Sequence, residues 1–227
     1  MRSVATFGLV CVAAAYFSGP AHAQTADDSL KIYAVNVVKT PPLRKPVTGD
    51  GIYLGQGMVI TAAHIVGHWP FFTRPHVLIG DQDLPSKIIK EGSFETTDLA
   101  LLSVEDAQLP VSLRLRRNPL CKEAPKTGTP VIDVDTADTT RAVVISPLTI
   151  APELRTRFDT LISSEESSGS GLFDAERKCL LGIMSARIPK YVYQLNNGRM
   201  AVTADGFAGY FVPASKISNF VPESLRF

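Results

Sequence analysis

Charge of one sign, metal-ligand clusters and long apolar runs are all scarce in this sequence. Of its 227 residues 23 are Lys or Arg and 22 are Asp or Glu, a formal net charge of +1, and neither sign forms a long block. Without a basic patch, neither nucleic acid nor a charged membrane surface is indicated as a partner. There are three cysteines and four histidines. No Cys-x-x-Cys pair begins a zinc tetrahedron and no His-Glu-x-x-His helix holds a catalytic metal, so neither a metal nor another cofactor is expected. Beyond Phe17 no stretch is apolar enough to cross a bilayer. Sustained helical periodicity is also missing, which argues against a helix-dominated fold.

Near its start the chain has a positive charge at Arg2, an uncharged run from Ser3 to Phe17, and small residues at Ser18-Gly19-Pro20 and Ala21-His22-Ala23. This pattern predicts a secretory signal peptide over 1–23, cleaved after Ala23 to leave a mature chain that begins at Gln24. The apolar run is shorter than the roughly 18 residues that span a membrane, so the mature form is expected to be free of it. A lipoprotein reading through Cys11 fails because that cysteine lies inside the hydrophobic run. Export places the product in the periplasm or outside the cell. Thiols are oxidised there, so Cys121 and Cys179 are expected to form a disulfide, with two unpaired structural thiols as the alternative.

Short apolar segments broken by Pro, Gly and Asp fill the rest. Strands are predicted at 32–38, 51–53, 58–61, 77–79, 87–90 and 99–104, then at 129–134, 140–145, 160–163, 171–173, 180–185, 200–203 and 209–213. The segment 110–128, with Pro110, Pro119, Pro125 and the basic Arg114, Arg116 and Arg117, reads as a connection between two β-rich halves and a solvated surface. After Pro213, Ile217, Phe220 and Val221 fall on one helical face, which predicts a short C-terminal helix.

Three stretches carry chemistry. A strand runs into Thr61-Ala62-Ala63-His64, where small residues let an imidazole lie close against its neighbours. Asp98, 34 positions after His64, opens the apolar run Leu99-Ala100-Leu101-Leu102. Ser167-Ser168-Gly169-Ser170-Gly171-Leu172-Phe173 then leads into a hairpin that continues through Cys179 to Ser185. Each alone is common: a polar strand end, a turn aspartate, a flexible loop. His68 and His76 lack the setting of His64, Asp81 and Asp83 sit in a polar turn, and Ser170 fits the third stretch less well than Ser168.

Together and in this order the stretches resemble the histidine, aspartate and serine motifs of trypsin/chymotrypsin-like serine proteases, in their bacterial secreted form. The resemblance spans essentially the whole mature chain. It implies an all-β fold of two six-stranded antiparallel β-barrels with a short C-terminal helix. The parts are a first barrel over 24–113, a connection over 114–128, a second barrel over 129–213, and a helix and tail over 214–227. It implies a catalytic triad of His64, Asp98 and Ser168, an oxyanion hole from the backbone amides of Glu166 and Ser168, and a polypeptide substrate. Ser185 matches the serine that hydrogen-bonds the catalytic aspartate. Ser185, Ala186 and Arg187 would edge the substrate pocket, with Ile162 near its base, which argues against a preference for Lys or Arg.

The match departs from the family in two places. Glu166 stands where the family has glycine, so a protease-like binding protein that cleaves nothing is the competing reading. Ser167 replaces the aspartate that pairs with a newly cut N-terminus in animal members, and no Ile-Val-Gly-Gly-like start lies near Gln24, so activation of that kind is not expected. Trp69-Pro70-Phe71-Phe72 reads as packing of a long loop. No peptide-binding module is expected after the C-terminal helix. An α/β-hydrolase esterase is excluded by the absence of a Gly-x-Ser-x-Gly elbow and by the triad order.

Overall fold

The computed structural model describes residues 27–67, 73–165, 167–196 and 199–225. The expectations for the leader and its cleavage after Ala23, for His68, for Trp69–Phe72 and for Glu166 lie outside these residues. Among the described residues no helix is long and apolar enough to cross a membrane.

The first half is a curled antiparallel sheet. Its strands are β1 (Ala34–Lys39), β2 (Val47–Gly55), β3 (Met58–Thr61), β4 (His76–Ile79), β5 (Gln82–Pro85), β6 (Lys87–Glu91) and β7 (Ala100–Ser103), with one helical turn, α1 (Ala63–Val66), after β3. The order is β5-β4-β1-β2-β3-β7-β6. The two edge strands, β5 and β6, are separated in the chain by Ser86 alone, so the sheet's ends are drawn together and it curls into a barrel. This explains seven strands where six are expected: one bent strand, broken at Ser86, pairs with β4 on one side of the break and with β7 on the other. Its first part was not predicted, because Asp81, Asp83 and Pro85 read as a polar turn.

β1 alternates as a half-buried strand should, with Val35, Val37 and Lys39 facing inward. A buried ammonium needs acceptors, and Lys39 Nζ finds the carbonyls of Val66 and Gly67, the latter at 2.8 Å, at the end of α1. Burial holds the Lys39 ammonium below its ordinary value, with Glu91 partly countering it.

The second half is a closed six-stranded barrel of β8 (Pro130–Val134), β9 (Thr139–Ile145), β10 (Leu161–Ile162), β11 (Gly171–Asp174), β12 (Leu180–Asn196) and β13 (Arg199–Pro213), in the order β10-β13-β12-β11-β8-β9. β12 and β13 form one long ribbon where the sequence predicts three shorter strands. Pro189 and Gly206 read as breaks, but the ribbon absorbs irregularity through register shifts beside Met184 and Pro189.

The connection contains a short helix, α2 (Val111–Arg114), whose Leu113 is buried. It then runs beside β12, where Cys121 bonds Cys179 with their Cα atoms 5.1 Å apart. The predicted C-terminal helix is α3 (Ala214–Phe220), which buries Ala214, Ile217 and Phe220. Lys90 of the first half reaches it, donating to the Phe220 carbonyl at 3.0 Å. At the other end Asp27 accepts from Lys178 and contacts Arg141 on the second half, at 2.7 and 2.6 Å. One hydrophobic cluster runs through both halves, joining Ile52, Ile60 and Leu101 to Ile132, Phe173 and Tyr210, so the two halves share a packed core.

Candidate active site

β3 ends at Thr61, and the buried Ala62 and Ala63 turn the chain into α1. His64 follows with its ring 34% exposed, Nδ1 lying 2.7 Å from Asp98 Oδ2. The His64 amide donates to the other carboxylate oxygen at 2.9 Å, and Ser185 Oγ donates to Oδ2 at 2.6 Å. Three donors thus surround a carboxylate that is almost wholly buried. Burial, the largest influence, pushes the Asp98 carboxyl up. The hydrogen bonds from His64 and Ser185, with the charge of His64, more than offset it and leave the carboxyl below its ordinary range. A carboxylate on Nδ1 fixes the ring tautomer and leaves Nε2 as the acceptor.

The turn bearing Ser168 is held from both halves. Gly169 has φ +89°, and a Cβ there would run into the Asp50 carbonyl oxygen, so glycine is required twice over. The Gly169 amide donates to the Met184 carbonyl at 2.8 Å and the Met184 amide to the Ser170 carbonyl at 3.0 Å, on the strand β12 that also carries Ser185. From β2, the Asp50 amide donates to the Ser168 carbonyl at 2.9 Å. Gly49 has no space for a side chain because Ile65 and the Ser168 carbonyl crowd it, which puts the serine turn against the segment that carries His64. Among the described residues no hydrogen bond joins the Ser168 hydroxyl to His64, whose bonds go to Asp98. Such contacts commonly tighten only when substrate is bound.

Two serines of this turn have different fates. Ser170 is fully buried and its hydroxyl donates to Asp133 at 3.2 Å. Ser168 lines an open cleft of about 340 Å³ together with Glu165, Ser167, Ala186 and Arg187. Arg187 Nη1 lies 3.1 Å from Glu165 Oε2, so the rim's positive charge is paired across the cleft mouth. Ile162 is fully buried beside Gly209, which in turn pairs with Arg187, so these three residues lie in one line across neighbouring strands β10, β13 and β12.

Phe94, which sequence reasoning passed over, meets the His64 ring edge-on at 6.1 Å. Arg157 of the second half stacks on Phe94 at 4.8 Å and donates to its carbonyl at 2.7 Å. No local motif marks Phe94, and its partners are distant in sequence.

A second histidine–carboxylate pair, His76 and Asp83 at 2.6 Å, lies on the β4–β5 hairpin. Both side chains are well exposed, which leaves the pair a small energetic weight. Among the described residues, which do not include His68, no group of three or more ligating side chains is assembled.

Neither a family model nor a curated protein matches the sequence. Solved structures match it in fold. The active form of the Rv3671c protease from M. tuberculosis superposes with a TM-score of 0.56 at 15% identity, covering 97% of this chain and 92% of that one. The MamO protease domain from Magnetospirillum magneticum gives 0.55 at 18%, covering 86% and 98%. Neuropsin, a serine protease expressed in the limbic system of mouse brain, gives 0.55 at 13%, covering 86% and 95%. The chain therefore has the trypsin-like two-barrel fold.

Proposed function

We propose that this chain is an exported serine endopeptidase that hydrolyses peptide bonds through an acyl-enzyme. The observation that carries the reading is the relay from Ser185 through Asp98 to His64, beside a turn in which Ser170 is buried and Ser168 faces the cleft.

In this reading Ser168 Oγ attacks the substrate carbonyl while His64 Nε2 takes its proton. Asp98 holds the imidazole in the required tautomer and stabilises the imidazolium. His64 then gives the proton to the leaving amine, and water, activated in the same way, hydrolyses the ester. The backbone amides of Ser168 and Glu166 are the proposed oxyanion donors, each typically contributing about 3 to 4 kcal/mol to transition-state stabilisation. The leader over 1–23 would deliver the mature chain to the periplasm or beyond. The competing reading, a binding protein that cleaves nothing, draws on Glu166 at the position of the oxyanion glycine.

Digestion of casein by purified mature chain, mapped peptide by peptide beside Ser168→Ala, separates the two. Wild-type-specific fragments are expected, and identical digests under several buffers would discard the protease reading.

A further inference from the structure

Asp50 is an unusual residue for the middle of an inner strand. Aspartate is disfavoured in strands and costly to bury, yet Asp50 lies in β2 at 6% exposure. A side chain at Gly49 would collide with Ile65, and one at Gly51 would be tight against Val37 and Val59. The strand is thereby pressed against the turn that carries Ser168.

We infer that Asp50 is a positioning residue for the Ser168 turn, holding it from the first barrel through the Ser168 carbonyl and the Ser167 hydroxyl. The inference rests on the reading of Ser168 as nucleophile. The Asp50 amide donates to the Ser168 carbonyl at 2.9 Å, and its own carbonyl accepts from Thr61 Oγ1 at 2.5 Å, three residues before His64. The main chain of one residue thus touches both catalytic segments. The carboxyl reaches across the barrel boundary, Oδ1 accepting from the Thr136 amide and hydroxyl at 3.2 and 2.8 Å, and the Ser167 hydroxyl lies near enough to favour its charged form slightly. Ser170, at the far end of the turn, is held in the same manner by Asp133 of β8. Two buried carboxyl groups, one from each barrel, therefore bracket the serine turn.

A strut that only joined the barrels would need Thr136 alone. The main-chain bond to the Ser168 carbonyl survives any substitution, so what the carboxyl adds is the tie from Thr136 to Ser167, the residue before the nucleophile. Burial, the largest influence, lifts the Asp50 carboxyl above its ordinary range, and the bonds from Thr136 and Ser167 only partly counter it. An uncharged acceptor of the same shape should serve as well.

The test compares Asp50→Ala, Asp50→Asn and Ser167→Ala with wild type, measuring the fluorophosphonate labelling rate per folded molecule and amide hydrogen exchange over 167–170. Misplacing a catalytic group by about 1 Å can cost on the order of 100-fold in rate. Asp50→Ala is therefore expected to label about 10- to 100-fold more slowly and to exchange faster over the turn. Asp50→Asn should stay within about threefold of wild type, and Ser167→Ala should fall between them. If Asp50→Ala does not fold, Ser167→Ala, at an exposed position, carries the comparison. Equal labelling and exchange in all variants would overturn the inference, as would an Asp50→Asn defect as large as that of Asp50→Ala. Failure of wild type itself to label would reject Ser168 as nucleophile, while exchange would still decide whether Asp50 holds the turn.

Discussion

Removing the Ser185 hydroxyl isolates one bond of the relay. Ser185 Oγ donates to Asp98 Oδ2 at 2.6 Å, the shortest of the three bonds that carboxylate accepts from His64 and Ser185. In Ser185→Ala the oxygen shared with His64 Nδ1 loses a partner, and the Asp98 side chain is only 2% exposed, so water has little access to replace it. A hydrogen bond to a charged group contributes about 1.5 to 3 kcal/mol, and a loss of about 2 kcal/mol at neutral pH is expected. The pH dependence has a defined sign. The folded carboxyl lies below its ordinary range, so its stabilisation is complete above the unfolded value of about 3.9 and is lost as pH falls through the folded value. With Ser185 gone the folded value rises, so the stabilisation is smaller and disappears at higher pH, and the two proteins converge in acid. Urea denaturation at pH 7 and pH 3 measures this. Equal midpoints at pH 7, or a gap that persists unchanged in acid, would refute the argument.

Other perturbations reach other parts of the account. Asp98→Asn should leave the fold largely intact while lowering kcat by about 10⁴-fold, because the imidazole loses the partner that fixes its tautomer; steady-state kinetics on a peptide substrate checks this. Gly169→Ala combines a positive φ with a collision against the Asp50 carbonyl, and should abolish labelling of Ser168 even where circular dichroism reports retained sheet. Replacing Cys121 and Cys179 with serine frees a loop closed over a separation of 58 residues. The expected cost is about 4 kcal/mol by loop entropy, read as a lower urea midpoint that matches the reduced wild type.

What the sequence made legible was local. The strand-to-histidine turn, the aspartate before an apolar run and the serine-glycine loop are contiguous strings, and the contacts of Asp98 with His64 and with Ser185 could be anticipated from them. The Cys121–Cys179 bond followed from arithmetic once export was assumed, and α3 from Ile217, Phe220 and Val221 on one face. Features that depend on distant partners were hidden. Asp50 between two glycines looks like a turn residue, and only the fold brings it to Thr136 and Ser167. Lys39 looks like a surface lysine until its strand turns it toward the end of α1. The β12–β13 ribbon was split because Pro189 and Gly206 are local breakers, and cross-strand pairing along its length outweighs them.

The central claim is that Ser168, driven by His64, is a working nucleophile. Mapping the site of a fluorophosphonate adduct by mass spectrometry, in wild type and in His64→Ala, tests it most directly. An adduct on Ser168 is expected in wild type and nearly none in the variant. An adduct on another residue, or equal labelling with and without the imidazole, would contradict it.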